Sequence, residues 1–335
     1  MNRELRALLA EAGLATGAWS DIILVHNVAA LPPPETPRGD YIWNRGFNLL
    51  VLDAHGRVAH YCKCRRPDDE ALANETRVRE VLARDPALAA IVPSTRGVAS
   101  DAVQIQVSRH VPGDSFSRMV AVLSTRRWER AVGEILAAVA RVTTRAAELM
   151  PHLAAPAGGV TLADEAAWAL EHLGNAGVPP ETVARLARVL EEAGRAPSSP
   201  QHGDLWPGNI VRHDDSWWLL DFEMFGRIRI PLYDAFHLVR TSWHLRPGGA
   251  LPLLALLRDR EAGPACRSVL GAAARRAGLT RRQVGGAFVA YLVDIAARLH
   301  RRGMPSAYWM PYVTGLQRLD NDLAAPTPLE DLVPI

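Results

Sequence analysis

Apolar positions alternate with polar ones through the first third of the chain, then recur at helical spacing through the remainder. Residues 2–12 place Leu5, Leu8, Leu9 and Ala12 on one stripe, with Gly13 as a stop. Ile22–Val28 reads as a strand, and Leu31-Pro-Pro-Pro34 through Gly39 breaks regular structure. Asp40–Leu52 reads as strand, turn, strand, and Arg57–Arg65 alternates again after a turn at His55-Gly56. A helix over Glu70–Leu82 follows, then an alternating strand at Val103, Ile105 and Val107. From about residue 116 the period is helical. Helices are predicted over Arg126–Leu149, Thr161–Leu173 (opened by a Thr-Leu-Ala-Asp capping box), Pro180–Ala193, Asp234–Trp243, Pro252–Arg260 and Ala265–Ala277. Thr280 caps a further helix to about Arg302, and Tyr308–Leu323 reads as the last.

One stretch interrupts the helical part. Pro200-Gln-His-Gly-Asp-Leu-Trp-Pro-Gly-Asn-Ile-Val211 is a polar loop running into a strand. Asp214-Asp215 makes a turn, and the apolar, aromatic residues 216–222 return as a strand that delivers Asp221 at its exit. Asp204 and Asn209 stand five residues apart, and Asp221 follows twelve residues later. This is the spacing of a phosphoryl-transfer signature: a carboxylate to accept the substrate hydroxyl proton, and two oxygen ligands for the Mg²⁺ on the phosphates.

His202-Gly-Asp-Leu-Trp-Pro-Gly-Asn209 with Asp221-Phe-Glu223 resembles the aminoglycoside phosphotransferase and choline kinase family, relatives of the protein kinases. The resemblance implies an α+β, protein-kinase-like bilobal fold. A small lobe (1–108) would hold an antiparallel sheet and one main helix, a hinge would span 109–115, and a larger, mostly helical lobe would cover 116–335. It implies Asp204 as base or hydroxyl-orienting group, and Asn209 with Asp221 as Mg²⁺ ligands. His202 would brace the loop and Asp234 would anchor it from a helix start, although a plain helix cap also fits Asp234. Glu223 would either add a metal contact through water or shape the turn.

The same resemblance assigns the nucleotide side. Lys63 would hold the phosphates of ATP (GTP being the alternative), paired with a glutamate of the Glu70–Leu82 helix. Glu75, twelve residues after Lys63, fits better than Glu80 on the same helix. Asn44-Arg45-Gly46 is the candidate phosphate-loop tip, though it lacks a glycine-rich pattern. Ser108–Gly113 is the candidate hinge, with Arg109 and His110 offered to the purine.

Composition narrows the picture. At 335 residues the chain suits two lobes. Its net charge of +2 points to no polyanionic partner, so no nucleic acid is expected. Apolar runs are too short to span a bilayer, and the first residues lack a signal core, so a cytoplasmic protein is expected. Three cysteines make no disulfide framework, and Cys62-Lys-Cys64 lacks a second pair for zinc. Of the 38 basic residues, Lys63 is the one lysine. Only twelve residues separate Asp221 from Asp234, too few for a peptide-docking segment, and this favours a small-molecule hydroxyl acceptor over a protein. The acceptor classes considered are an antibiotic, a sugar- or nucleoside-like alcohol, an aminoglycoside, and choline or another amino alcohol. A protein kinase and an inactive nucleotide-binding homologue are the rivals. The sequence does not speak to oligomeric state.

Overall fold

The computed structural model describes residues 46–101, 103–154, 156, 158–249, 252–306 and 308–312, together with 7, 9–11, 14 and 21–25. By contacts the chain forms two compact units: Met1–Gly113 with Val211–Glu223, and Asp114–Ile210 with Met224–Ile335.

The first unit is built on a five-stranded antiparallel sheet. Its strands are β1 (Asp21–Val25), β2 (Phe47–Leu52), β3 (Val58–Arg65), β4 (Thr95–Ala99) and β5 (Gln104–Arg109), in the order β1-β2-β3-β5-β4. Side chains alternate between the two faces of a strand. One face gathers Phe47, Leu49, Val51, Cys62, Cys64, Ile105 and Val107 into a core with Leu9 and Leu14. Each such large apolar side chain contributes about 1.5–3 kcal/mol when fully buried. Cys62 and Cys64 belong to this core as thiols, and burial pushes the Cys62 thiol up to about 12.

The opposite face carries a polar row. Register places Asn48 opposite Lys63, Lys63 opposite Gln106, and Gln106 opposite Gly97. Helix α1 (Glu70–Ala83), capped by the Asp69 side chain on the Leu72 amide, lies against this row. At Gly97 a Cβ would come within 2.4 Å of Thr76 Cγ2, so glycine is what lets helix and strand approach. The same residue hid β4 from the sequence pattern. Thr-Arg-Gly-Val-Ala has one large apolar residue and a central glycine, and its place at the sheet edge demands no more. The strand expected around 40–43, and most of the helices expected over 2–12 and 308–323, lie outside the described residues.

The second unit is helical: α2 (Thr125–Leu149), α3 (Leu162–Asn175), α4 (Pro180–Ala193), α5 (Tyr233–His244), α6 (Gly263–Arg276) and α7 (Arg281–Arg301), with short helices at Phe116–Val120 and Leu253–Arg258. Every residue of α7 from Val284 to Ala297 is buried, which makes it the central helix of the unit. Gly286 meets Ala193 and Leu162 there; a Cβ would lie 2.3 Å from that of Ala193. The capping box expected at Thr161 is not formed: Thr161 flanks α3 without a side-chain cap, and its hydroxyl instead accepts from Arg195. The complete box opens α7, where Thr280 and Gln283 satisfy each other's backbone amides. Among the described residues no helix is long and apolar enough to cross a membrane.

Candidate active site

The first unit holds the lysine side. Lys63 leaves β3 on the polar face and is 6% exposed. Its Nζ donates to Glu75 Oε2 at 2.7 Å, Asp221 Oδ1 at 2.8 Å and Glu223 Oε1 at 2.9 Å. Burial works against the ammonium's charge, but the three carboxylates outweigh it and hold Lys63 above its ordinary range. Burial likewise pushes the Glu223 carboxyl up, Lys63 opposes this, and Asp221 adds to it.

Glu75 is the hub. Fully buried, it also accepts from Arg79 Nη1 and from the Phe222 amide, both at 3.2 Å. One carboxylate therefore joins the sheet lysine, its own helix and the backbone of Asp221-Phe-Glu223. The rival Glu80 faces elsewhere and accepts from the Gly97 amide at 3.0 Å. Both glutamates are on α1, but five residues rotate a helix far enough to separate their directions.

A hairpin of β6 (Ile210–His213) and β7 (Ser216–Leu219) presents Asp221, with Asp214 at its turn in the left-handed region. The returning strand stops at Leu219 rather than continuing to 222, and the Leu219 amide donates to Ile91 O at 2.8 Å. Asp221 itself has φ 62°, a conformation Asp tolerates better than most residues. Fully buried Phe222 fixes the backbone beyond it. Glu75, Asp221 and Glu223 each offer a carboxylate oxygen within 4.8 Å of the others, a cluster of hard donors gathered on the Lys63 ammonium.

At the expected hinge, the Arg109 amide donates to Ser94 O at 3.1 Å and the His110 amide to Ala59 O at 2.9 Å. Both donors are engaged in the sheet ladder. Gly46 sits at the start of β2 with φ 79°, where a Cβ would come 2.5 Å from Cys64 O. Asn44 and Arg45 lie outside the described residues. Arg65 was not foreseen: its guanidinium donates to Phe47 O, Asn48 and Cys64 O, and approaches Glu223 at 3.9 Å.

The second unit holds the loop. Asp234, fully buried at the start of α5, accepts the His202 amide at 2.6 Å and the Gly203 amide at 2.9 Å. Burial pushes its carboxyl up to about 7, against the pull of those two amides. The Gln201 side chain returns the contact by accepting the Asp234 amide at 3.3 Å. This double latch explains Gly203: with φ 82° and a Cβ that would meet Met224 at 2.8 Å, no larger residue fits.

Downstream, Asn209 Nδ2 donates to Asp204 O at 3.0 Å and reaches Asp204 Oδ2 at 3.4 Å, closing the loop on itself. The Asp204 side chain is 38% exposed, whereas Asn209 is buried. His237, one turn into α5, brings Nε2 to 4.0 Å from Asp204 Oδ1. No local pattern singles it out beyond its place three residues after Asp234. A cavity of about 260 Å³ lies behind the loop, lined by Val139, Thr143, Gln201, Asp234 and Arg276 among others.

The comparisons with known proteins agree with this architecture. Among solved structures, a glucosamine kinase in complex with glucosamine, ADP and inorganic phosphate is 19% identical, with a TM-score of 0.51 over 90% of this chain and 83% of that one. ADP-bound aminoglycoside phosphotransferase APH(2'')-Ib is 10% identical, with a TM-score of 0.52 over 94% and 97% of the two chains. The streptomycin-ATP-APH(2")-IIa ternary complex is 9% identical, with a TM-score of 0.50 over 99% of each chain. At these identities the likeness bears on the fold, which is the kinase-like α+β fold. No curated protein matches the chain. The model of the phosphotransferase enzyme family matches residues 46–270, from the start of β2 into α6, and the chain belongs to that family.

Proposed function

We propose that the chain moves the γ-phosphate of ATP to a hydroxyl of a small molecule. The observation that carries this reading is Lys63, the sole lysine, held within 2.9 Å of the helix glutamate, of Asp221 and of Glu223. Lys63, oriented by Glu75, would bind the α/β-phosphates. Asp221 and Asn209 would hold Mg²⁺, with Glu223 adding a contact through water; Asp221 and Glu223 offer carboxylate oxygens within 4.8 Å of one another, hard donors of the kind such an ion takes. Bound there, Mg²⁺ would offset charge on the transferring phosphoryl group. Asp204 would accept the acceptor's hydroxyl proton. The purine would meet the 109–115 segment through groups other than the Arg109 and His110 amides, which are engaged. A nucleotide lobe to about 108 and a catalytic lobe from 116 are the proposed division, in a cytoplasmic enzyme.

The acceptor panel is drawn from family membership and from the similar solved structures, which hold glucosamine and streptomycin. Amino sugars, aminoglycosides and other hydroxylated antibiotics, nucleoside-like alcohols and amino alcohols form the test panel. The experiment is to incubate purified protein with ATP and Mg²⁺ against that panel and detect phosphate addition by mass. A phosphorylated alcohol whose formation stops when EDTA removes the metal supports the reading. ATP binding without transfer to any member would favour an inactive nucleotide-binding homologue, and transfer to a peptide hydroxyl instead would favour a protein kinase.

A further inference from the structure

Behind Asp204 runs a chain of hydrogen bonds from Arg240 through Tyr291 to His237. Arg240 Nε donates to the Tyr291 hydroxyl oxygen at 3.0 Å. A guanidinium can only donate, so Tyr291 must accept there and has its own proton to give. The next atom is His237 Nδ1, 3.4 Å from the same hydroxyl. A phenol oxygen could take a second donor as well, but the Asp204 carboxylate facing Nε2 favours the ring proton on that nitrogen, which leaves Nδ1 as the acceptor of the tyrosine proton. The ring is buried, and burial, with Arg240, His202 and Arg302 nearby, pushes its pKa well below the usual value. A neutral imidazole carries one proton, and with Nδ1 accepting, that proton sits on Nε2. Nε2 is the atom that faces Asp204 Oδ1 across 4.0 Å.

That separation is too long for a hydrogen bond between the two. It suits an oxygen seated beside the line joining them, which can reach both at ordinary length. Resting on the phosphotransferase reading above, we propose that His237 binds the acceptor's reacting hydroxyl: Nε2–H donates to the hydroxyl oxygen while that hydroxyl donates to Asp204, and Tyr291 and Arg240 are positioning residues that lock the tautomer. In the transfer step the oxygen forms its bond to the γ-phosphorus and the β–γ bridging bond of ATP breaks. The hydroxyl proton passes to Asp204, and ADP leaves with the electron pair. His237 gains and loses no proton. Its role is to hold one lone pair so that another points at phosphorus. A donor at this place also selects against amines: an ammonium would set N–H against N–H, so the site reads a hydroxyl.

Two measurements on the full chain test this. Long-range ¹H–¹⁵N NMR of the imidazoles, assigned by His237→Gln, is expected to show a neutral Nε2–H ring near neutral pH. Tyr291→Phe, which removes the donor to Nδ1, is expected to give mixed tautomers. A protonated ring or a pure Nδ1–H form would overturn the proposal. The second measurement is ATP turnover with water as the acceptor probe. His237→Leu is expected to lose about tenfold in kcat, the worth of about 1.4 kcal/mol, with KM for ATP unchanged. His237→Gln, which keeps an N–H donor, is expected to recover most of that loss. Equal kcat in His237→Leu and wild type would overturn the assignment, as would a loss in KM for ATP alone. A wild-type protein that turns over no ATP would count against the phosphotransferase reading instead, and the ring's tautomer would then decide the matter here.

Discussion

Lys63 and Asp204 are positioned in two different ways. In the first unit, charges hold charges: one buried ammonium faces three carboxylates, and Glu75 is shared with Arg79. In the second unit, the Asp204 carboxylate is held by its loop, and the loop is held by neutral backbone amides latched to Asp234. Buried ion pairs depend on every partner being present, because removing one leaves an uncompensated charge. An amide latch is local and tolerates changes in the surrounding charge. The lysine cluster should therefore be sensitive to the shape of its cation, and the loop to the loss of one acceptor.

The largest expected effect falls on the loop's exposed acid. Asp204→Ala is expected to lose about two to four decades of turnover, the worth of a positioned proton acceptor, with ATP affinity retained. Steady-state kinetics at saturating ATP checks it, and near-native turnover would remove Asp204 from the chemistry. Next comes Lys63→Arg, which keeps the charge but replaces a compact ammonium with a planar fork among three carboxylates. Turnover is expected to fall at least about tenfold, about 1.4 kcal/mol, with an unchanged thermal melt. Wild-type turnover in this variant would mean that charge alone suffices there.

A pH-dependent effect, on stability rather than turnover, is expected at the latch. Asp234→Asn turns an NH₂ toward one of the two amides and should cost about 1–3 kcal/mol of stability in mildly acidic solution. In the folded protein Asp234 titrates at about 7, above its usual 3.8. The folded chain thus binds the extra proton between those values. The contribution of Asp234 to stability is complete below the lower value and is lost as pH rises through about 7. The wild-type advantage over Asp234→Asn should shrink by at least about 1 kcal/mol between roughly pH 5 and pH 8, the worth of one pKa unit or more. Denaturant unfolding at both values measures this, and a widening gap would contradict it. The smallest effect is expected at Glu80→Gln, where the Gly97 amide keeps an acceptor. Turnover within about twofold of wild type is the outcome that sets Glu80 apart from Glu75, since a loss of one decade is 1.36 kcal/mol.

Much of this was legible in the sequence because it is encoded at short range. The spacing of Asp204, Asn209 and Asp221 and the cap at Thr280 depend on neighbours a few residues away. Period-2 alternation was enough to put Lys63 on the face opposite Cys62 and Cys64. What the sequence left open, or led astray, involved partners distant along the chain. Lys63 meets Asp221 158 residues later, and Glu75 outcompetes Glu80 because Gly97 on a neighbouring strand takes the latter. Thr161 has the residues of a capping box, yet its hydroxyl is taken up by Arg195. The amides of Arg109 and His110 are committed to Ser94 and Ala59 by strand pairing that no local pattern reveals. The Arg240–Tyr291–His237 relay joins residues of α5 and α7 more than fifty positions apart. Only tertiary packing put those groups in line, because hydrogen bonds are set by distance in space and sequence spacing governs distance only within an element.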